Sequence, residues 1–380
     1  MSLQTIEQSK AKIDLEQIKR KRVNIAIFGH GNVGSILIDQ ILKASKELSQ
    51  RRLLDLRIVA VANSSSILLD KNGLDENWRE RKKKQGSSYT IETFLAYTST
   101  YGLENLIAVD NTADSNFVAN YKDLVTAGFN LVSSNKIANT LSLDFYQDVR
   151  NLLTENNKSY LYETNVGAGL PLVDTIKLLH QSGENITRIK GVFSGSLSYL
   201  FNHFSEKEQA FSEVLSAAIR LGYTEPDPRE DLCGNDVGRK LLILARELDL
   251  HCELSDVTIQ NLIPKELRKV SKEEFFTRIT DFDVPFHIKR SNQAKEHVLR
   301  YIGDLHGDLS KEKGALLDVK LVSVPKNSML GQLKGSDSIF EIYTESYGEN
   351  PIVIQGAGAG ASVTARGVFG DVLRLSNTLN

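Results

Sequence analysis

The chain has 380 residues, of which 41% are hydrophobic and 25% charged, and its formal net charge is −2. This near-neutral balance gives no electrostatic basis for binding nucleic acid or an anionic membrane, and no apolar run approaches the roughly 20 residues that span a bilayer. The first residues lack the apolar core of a secretory signal, and two cysteines are too few for a disulfide framework or a zinc site. We therefore expect a cytoplasmic protein, with two domains because one core rarely serves so long a chain.

The first half of the chain alternates between strand-like and helical patterns. Residues 1–22 are polar and charged, and we expect them to form a linker outside the domains. Beyond them, buried strands are predicted at VNIAIF (23–28), RIVAVAN (57–63), LIAVDNT (106–112), FNLVSSN (129–135) and SYLYETN (159–165). Strands that alternate with helices indicate βαβ units and a parallel sheet. An α/β, Rossmann-type nucleotide domain is therefore predicted over residues 23–165.

The second half follows a different pattern. Helical patterns between about residues 196 and 250 precede a polar segment, after which strand-like runs return at LRYIGDL (299–305), ALLDVKLVSV (315–324) and SIFEIYTE (338–345). That order predicts an α+β second domain over residues 166–354. The tail PIVIQGAGAGASVTARGVFG reads as a strand, a glycine-rich turn and a helix, so we expect residues 355–380 to return to the first domain.

A glycine loop, GHGNVG, follows the first predicted strand and opens a helix. Glycine at Gly29, Gly31 and Gly34 permits a tight turn, close approach to a pyrophosphate and helix-on-strand packing. The loop therefore predicts a dinucleotide cofactor, NAD or NADP, at the N-terminus of the following helix. The cofactor-binding set of this loop is Gly29, His30, Gly31, Asn32, Val33 and Gly34, with His30 contributing through its backbone.

The end of the second predicted strand bears on which dinucleotide is bound. Asn63 and Ser64 stand where an NAD-selective site usually has an acid that holds the ribose 2′-hydroxyl. Nothing there would repel a 2′-phosphate, so NADP is allowed. The basic run RERKKK (79–84) is interpreted as a solvated helix face, with contact to that 2′-phosphate as the alternative.

Polar residues follow three further strands, at the edge where open α/β sheets bind ligands. Thr112 ends one strand, and Lys136 follows another, where it could hold a phosphate, contact a substrate or lie on the surface. ETNVGAGLP (163–171) offers the carboxylate of Glu163 and free backbone carbonyls. Such oxygens could hold a monovalent or weakly bound cation, or the segment could be an ordinary loop.

The stretch GYTEPDPREDLCGNDVGRK (222–240) gathers acids beside a lysine. Asp236 and Lys240 are four residues apart and share one helix face, while prolines hold Glu225 and Asp231 near the start of that helix. The acids suit the ammonium group of an amino acid, and the lysine suits proton transfer at a reacting oxygen. Gly195, in FSGSLSYLFN, could help to close such a site.

The motifs FGHGNVG, VDNT, SSNK, ETNVGAGLP, FSGSLSY, GYTEPDPREDLCGNDVGRK and VIQGAGAGASVTA occur in the order seen in homoserine dehydrogenases. The resemblance covers residues 22–375, and the chain looks most like the dehydrogenase half of bifunctional aspartokinase–homoserine dehydrogenases, of which VANSSSILLDKNGLDENW is typical. It implies interconversion of L-homoserine and L-aspartate 4-semialdehyde with NAD(P). It also implies a homodimer, and makes residues 1–22 a linker remnant of a longer parent fused to an aspartokinase.

The resemblance assigns a role to each candidate residue. Lys240 matches the general acid/base, while Lys136 matches a lysine at the junction of cofactor and substrate. The remaining assignments are Glu225, Asp231, Asp236 and Gly195 for the substrate, Thr112 and Gly360 for the cofactor, and Glu163 with the backbone carbonyls of Val166, Ala168 and Leu170 for a sodium ion. Ser196 departs from the threonine that many members have.

Two other functions fit the same residues. The first is another Rossmann oxidoreductase acting on an amino-acid semialdehyde, including the acylating kind, which needs a nucleophilic cysteine near the cofactor. Cys233 lies among acids, which do not favour a thiolate, and Cys252 follows a helix in a structural position. The second is a non-catalytic NADP-binding module, for which the lysine among acids has no use.

Overall fold

A computed structural model describes residues 20–379, which form two six-stranded sheets with helices around them. The strands of the first sheet are β1 (Lys21–Phe28), β2 (Leu54–Ala62), β3 (Ile67–Leu69), β4 (Leu106–Asp110), β5 (Asn130–Ser133) and β6 (Tyr160–Leu161). Their order is β3–β2–β1–β4–β5–β6, and all neighbours are parallel except β2 and β3. The helices of this half are α1 (Asn32–Arg51), α2 (Trp78–Gln85), α3 (Ile91–Thr100), α4 (Ser115–Val118), α5 (Tyr121–Thr126) and α6 (Leu143–Glu155). This arrangement confirms the α/β class.

The second sheet is mostly antiparallel. Its strands are β7 (Ile186–Val192), β8 (Val257–Ile259), β9 (His297–Gly307), β10 (Ala315–Pro325), β11 (Ser338–Thr344) and β12 (Ile352–Gly356). They lie in the order β12–β11–β7–β9–β10–β8, with only the β8–β10 pair parallel. The helices of this half are α7 (Val173–Gln181), α8 (Gly195–Glu206), α9 (Phe211–Arg220), α10 (Arg229–Leu232), α11 (Asn235–Arg246), α12 (Lys272–Thr277), α13 (Asp283–Ser291), α14 (Met329–Gln332) and α15 (Ala361–Thr378).

The last helix, α15, packs on the first sheet rather than the second. Its buried face, which includes Val368 and Phe369, joins a core with Leu37 and Ile41 of α1 and the apolar residues of β1. Strand β12, however, pairs with β11 in the second sheet. The tail therefore returns to the first domain only from α15 onward, several residues later than the boundary at 355 predicted from the sequence.

Of the predicted linker, residues 1–22, the structure describes only residues 20–22. Residues 1–19 lie outside the described residues, and Lys21 and Arg22 already belong to β1, where they pair with Leu54 and Asp55 of β2. Between residues 20 and 379, none of the helices combines the length and apolar character that crossing a membrane requires.

Candidate active site

A cavity of about 710 Å³ lies between the two domains, beyond the carboxyl ends of β1 and β5. Four helices begin at its wall, α1, α8, α11 and α15, so the N-terminal ends of their backbones lie at the cavity. Such termini favour negatively charged ligands. The cavity brings together ten of the residues predicted from the sequence, namely Asn32, Val33, Lys136, Ala168, Gly195, Glu225, Asp231, Asp236, Lys240 and Gly360.

Lys240 and Asp236 both line this cavity and lie one turn apart on α11. The Lys240 Nζ atom lies 2.7 Å from Asp236 Oδ2 and donates to the Phe193 carbonyl at 2.8 Å. The helix starts at Gly234, whose φ is 79° and whose added Cβ would lie 2.1 Å from the Tyr301 hydroxyl, so only glycine fits there. The Lys240 side chain is 12% exposed, so its ammonium group is fixed at the cavity wall.

Asp236 also joins the two domains, because Lys136 reaches it from the end of β5, with Nζ 3.5 Å from Asp236 Oδ1. Burial by itself would raise the pKa of Asp236, but the charges of Lys240 and Lys136 outweigh it and hold that pKa well below its usual range. The carboxylate therefore stays ionised between the two lysines at neutral pH.

The predicted substrate acids approach the cavity from the loop before α10. Asp231 Oδ1 accepts from the Ser196 hydroxyl at 2.6 Å, and its Oδ2 accepts from the Glu225 backbone N–H at 2.9 Å. Burial, followed by the charge of Asp231, raises the pKa of Glu225. Burial also raises the pKa of Asp231, partly offset by the bond from Ser196. These acids are crowded together and would be stabilised by a cation such as an ammonium group.

A second cavity, of about 380 Å³, adjoins the glycine loop and is lined by Gly29, His30, Gly31 and Thr112. Gly34 closes the turn, since its added Cβ would lie 1.9 Å from the Gly29 carbonyl oxygen, whereas Gly31 has nothing within 4 Å. Two buried nitrogens beside the loop, His30 Nε2 and Asn111 Nδ2, have no protein partner. Open space above the glycines and unpaired polar atoms fit a dinucleotide that runs from this cavity into the larger one.

The strand ends that carry Thr112 and Lys136 are held by a buried carboxylate that the sequence analysis did not single out. Asp110, at the end of β4, accepts from the Thr112 backbone N–H at 2.8 Å, from the Tyr121 hydroxyl at 2.8 Å and from Asn135 Nδ2 at 3.0 Å. Asp110 is 3% exposed, and burial raises its pKa. Its position after an apolar run, within VDNT, is the signal that could have indicated it.

The predicted sodium ligands are placed differently from the other site residues. Glu163 is buried and caps α7, because its two carboxylate oxygens accept from the backbone N–H groups of Val173 at 2.8 Å and Asp174 at 3.0 Å. The Leu170 carbonyl accepts from Leu172 at 2.9 Å. These groups thus have protein partners, and the set of Glu163, Val166, Ala168 and Leu170 as a sodium site stays a prediction.

The structure adds residues that the sequence analysis left out. Ser134, Thr164 and Tyr223 line the larger cavity, and the buried Thr164 hydroxyl has no protein partner. Cys233 lines the same cavity, but its thiol donates to the Glu230 carbonyl at 3.2 Å. Tyr223 belongs to the acidic stretch 222–240, and its position two residues before Glu225 could have indicated that it lines the cavity.

A parallel sheet ending at a glycine loop, opposite a cavity that holds lysines and carboxylates, defines a two-domain nucleotide-dependent oxidoreductase. The model of the homoserine dehydrogenase family matches residues 171–373, and the model of the NAD-binding domain of homoserine dehydrogenase matches residues 29–163. The chain therefore belongs to the homoserine dehydrogenase family, and its first domain binds NAD(P).

Individual relatives agree with the family match. The chain is 40% identical over 363 residues to bifunctional aspartokinase/homoserine dehydrogenase 1, chloroplastic, of Arabidopsis thaliana, a match that covers 94% of this chain and 39% of that protein. It is 34% identical over 366 residues to the homoserine dehydrogenase of Schizosaccharomyces pombe, covering 94% of this chain and 96% of that protein. The chain thus spans about two fifths of the first relative and nearly all of the second.

Among solved structures, a crystal structure of a Candida auris protein of unknown function superposes with a TM-score of 0.84 at 31% sequence identity. The match covers 94% of this chain and 99% of that one. The Candida auris protein therefore has both domains of this chain, in a similar relative arrangement.

Proposed function

We propose that the chain interconverts L-homoserine and L-aspartate 4-semialdehyde with NAD(P), and that Lys240 is its general acid/base. The observation that carries this proposal is the pair of lysines, Lys240 and Lys136, held on either side of Asp236 at the cavity between the domains. The bound nicotinamide would supply the hydride in the reductive direction. The residues of the chain would bind the amino acid, exclude water and transfer the proton to or from the reacting oxygen.

In the reductive direction, the aldehyde oxygen gains negative charge as its carbon gains hydride. Lys240 would give that oxygen a proton, and Asp236 would hold the lysine in position through their 2.7 Å contact. Glu225 and Asp231 would bind the substrate ammonium group, since both line the same cavity, and burial, with the charges of neighbouring acids, raises the pKa of each. Gly195 would line the site at the start of α8, where a side chain would meet Ala359.

The cofactor would occupy the two cavities, with its pyrophosphate over Gly29, Gly31 and Asn32 and Val33 of α1. Thr112 would contact it from the end of β4, and Gly360 from the start of α15. Lys136 lies where the two ligands would meet. We keep the homodimer, the cytoplasmic location and the fusion to an aspartokinase as predictions, the last supported by the bifunctional relatives.

The test is the initial rate of homoserine oxidation with NADP or NAD, compared between wild type and Lys240→Ala. We expect a loss of about a hundredfold or more in kcat with cofactor binding retained. Lys269→Ala, at an exposed position, is the matched control and should keep the wild-type rate. A Lys240→Ala enzyme with the wild-type rate would refute the assigned role.

The same assay separates the two alternative functions. Wild-type protein that binds the dinucleotide but does not turn over homoserine would point to another amino-acid semialdehyde, to a need for a missing part of a longer chain, or to a non-catalytic module. Assaying a panel of semialdehydes then distinguishes the first possibility from the others. The acylating alternative is disfavoured because the Cys233 thiol has a carbonyl partner and acidic neighbours.

A further inference from the structure

The last residue of α11, Arg246, is buried and binds backbone atoms of the first domain. Its side chain is 0% exposed, and each N–H group of its guanidinium has a partner. Nη1 donates to the carbonyls of Asn139 at 3.0 Å and Leu141 at 2.8 Å. Nε and Nη2 donate to the Cys252 carbonyl at 3.1 and 3.0 Å, and Nη2 also donates to Glu253 Oε2 at 3.2 Å. One buried cation therefore joins the end of α11 to the first domain.

Glu253 adds a second contact between the same two segments. Its Oε1 atom accepts from the backbone N–H of Leu143, the first residue of α6, at 2.6 Å, while its Oε2 atom accepts from Arg246. A cation thus holds two carbonyls of the first domain, and an anion beside it holds one of the N–H groups. We call this pair, Arg246 and Glu253, the interdomain clamp.

The segment that the interdomain clamp holds starts at the turn after Lys136. This 3₁₀ turn, Ile137–Asn139, begins directly after Lys136, whose carbonyl accepts from the backbone N–H of Asn139 at 3.1 Å and from the Thr140 hydroxyl at 3.2 Å. The Asn139 carbonyl accepts from Arg246 in turn. One short, hydrogen-bonded turn therefore separates the interdomain clamp from Lys136, so the clamp fixes where the Lys136 backbone lies.

The Lys136 side chain reaches the opposite end of the same helix. Its Nζ lies 3.5 Å from Asp236 Oδ1, in the first turn of α11, whereas Arg246 ends that helix about 15 Å further along its axis. Both side chains of this ion pair are partly exposed, at 31% and 47%, so the pair itself contributes little to holding the segment. The buried bonds of Arg246 therefore decide where Lys136 meets Asp236.

We propose that Arg246 is a positioning residue: through the turn after Lys136 it sets the contact between Lys136 and Asp236 across the two domains. This inference rests on the proposed function, in which Asp236 holds the general acid/base Lys240. Arg246 acts through the backbone of the first domain and needs no contact with the substrate. Its influence on the reaction therefore passes through Lys136.

Arg246→Lys tests the inference, because lysine keeps the charge but its single nitrogen cannot reproduce the forked bonds of the guanidinium. We expect kcat/KM for homoserine to fall about tenfold. Introduced into Lys136→Met, the same substitution should lower kcat/KM by less than about twofold, because the contact that Arg246 sets is already absent. The same factor in both backgrounds would mean that Arg246 does not act through Lys136, and would overturn the inference.

Arg300→Lys is the matched control for the loss of a buried guanidinium. Arg300 lies in β9 and is 2% exposed, and it donates to four backbone carbonyls of the second domain, those of Leu299, Leu330, Gly331 and Leu333. Both lysine variants should lower the melting temperature, because each leaves buried carbonyls without donors. Arg300→Lys should nevertheless keep kcat/KM within about twofold of wild type. A tenfold fall in this control would indicate general structural damage and would count against the inference.

Glu253→Gln is a milder test of the interdomain clamp. The Glu253 side chain is 42% exposed, so the fold should be retained, and glutamine keeps an acceptor for Leu143 while removing the charge beside Arg246. We expect kcat/KM to fall about threefold in the wild-type background and to stay unchanged in Lys136→Met. An equal fall in both backgrounds would again overturn the inference, even if Arg246→Lys did not fold.

Hydrogen exchange separates the failure of this inference from the failure of the proposed function. The backbone amides of residues 137–143 should exchange at least about tenfold faster in Arg246→Lys than in wild type, and at the wild-type rate in Arg300→Lys. Wild type that does not oxidise homoserine would refute the proposed function, while the exchange rates would still decide whether Arg246 holds the segment after Lys136. Unchanged exchange in Arg246→Lys would overturn the inference whatever reaction the chain catalyses.

Discussion

Gly31 and Gly34 occupy the same loop but meet different surroundings. At Gly34 an added Cβ would lie 1.9 Å from the Gly29 carbonyl oxygen, which is backbone and cannot move aside, whereas at Gly31 nothing lies within 4 Å. Gly34 is therefore required for the fold of the turn. Gly31 leaves space for the cofactor, so substitutions at the two positions should separate stability from cofactor binding.

We predict that Gly34→Ala lowers the free energy of unfolding by about 3 kcal/mol or more, because the clash forces the turn apart. Gly31→Ala should keep the wild-type melting temperature but weaken NADPH binding at least about tenfold, because its methyl group enters the space of the pyrophosphate. Thermal unfolding and NADPH titration of both variants provide the check. Equal loss of stability in the two variants would contradict this separation.

The proposed roles of Glu225 and Asp231 in binding the substrate ammonium group predict that substrate binding depends on pH. Their folded pKa values are raised, so they take up protons at higher pH than ordinary carboxyls as the solution is acidified. Protonation removes the negative charge that would hold the substrate ammonium. We predict that KM for homoserine rises as pH falls toward about 5.

Glu225→Gln should raise KM at neutral pH and flatten that rise, with a smaller effect on kcat. Glu349→Gln, at an exposed position away from the cavity, is the control and should follow the wild-type profile. A profile of kcat/KM from pH 5 to 9 makes the comparison. An unchanged slope in Glu225→Gln would exclude this carboxyl as its source.

At the level of elements, α7 and α15 are joined through two buried carboxyls. Glu163 caps α7, its backbone N–H donates to Asp371 Oδ2 of α15 at 3.0 Å, and Arg374 Nη2 donates to Asp371 Oδ1 at 2.8 Å. Burial raises the pKa of each carboxyl to about 7. These pKa values exceed the unfolded ones, so between about pH 4 and 7 the folded chain binds more protons than the unfolded chain.

The protons held by Glu163 and Asp371 make the free energy of unfolding depend on pH. As pH rises through that window the folded state must release protons that the unfolded state has already lost. The free energy of unfolding therefore falls by about 1.4 kcal/mol per pH unit for each carboxyl that is protonated in the folded state only. We predict that Asp371→Asn reduces this slope, and that Asp123→Asn, an exposed control, does not. Denaturant unfolding at pH 5, 6, 7 and 8 measures the slopes. An identical slope in Asp371→Asn would contradict the role of this pair.

The elements also show where sequence reasoning succeeds and fails. The five parallel strands of the first sheet were predicted within a few residues because they are apolar runs, as parallel buried strands are. The short antiparallel strand β3 was not predicted. Strand β7 was missed because its sequence, ITRIKGV, carries Arg188 and Lys190. These charges are satisfied across the sheet, by Asp304 of β9 at 2.6 Å and Glu341 of β11 at 3.0 Å. Partners so distant in sequence cannot be read from local pattern.

The site was predicted in a similarly uneven way. Lys240 and Asp236 could be paired from their helical spacing, and the glycine loop from its motif. The pairing of Asp236 with Lys136 joins residues of different domains, so it depends on how the two sheets meet. Lys82, in the run predicted to be a solvated face, is buried and donates to the Ser66 hydroxyl. In the sequence that lysine is indistinguishable from its exposed neighbours.

For the whole molecule, a buried polar network connects the two domains behind the cavity. The Tyr162 hydroxyl, just after β6, donates to Glu247 Oε1 at 2.5 Å and accepts from Arg150 Nη2 at 2.9 Å. Lys177 of α7 lies 3.2 Å from Glu247 Oε2. Elements of both domains therefore depend on one carboxylate at the end of α11, the helix that carries Lys240.

We predict that Tyr162→Phe lowers the free energy of unfolding by roughly 1 to 3 kcal/mol, because it leaves buried partners without their hydrogen bonds. It should also lower kcat, because Glu247, which loses this hydrogen bond, follows α11, the helix that carries the proposed general acid/base Lys240. Tyr347→Phe, which is exposed, should change neither quantity. Calorimetric unfolding with parallel rate measurements provides the check, and an unperturbed melting temperature in Tyr162→Phe would contradict it.

The packing of α15 on α1 has a consequence for how the protein is made. The core of the first domain includes residues near both ends of the described chain, and the Lys21 ammonium group donates to the carbonyls of Ser376 and Leu379. During synthesis on the ribosome, β1 to β6 emerge long before α15. The apolar residues of α1 that α15 covers therefore stay exposed while the second domain is translated. The second domain can fold first. The core of the first domain is therefore completed only after α15 has been synthesised.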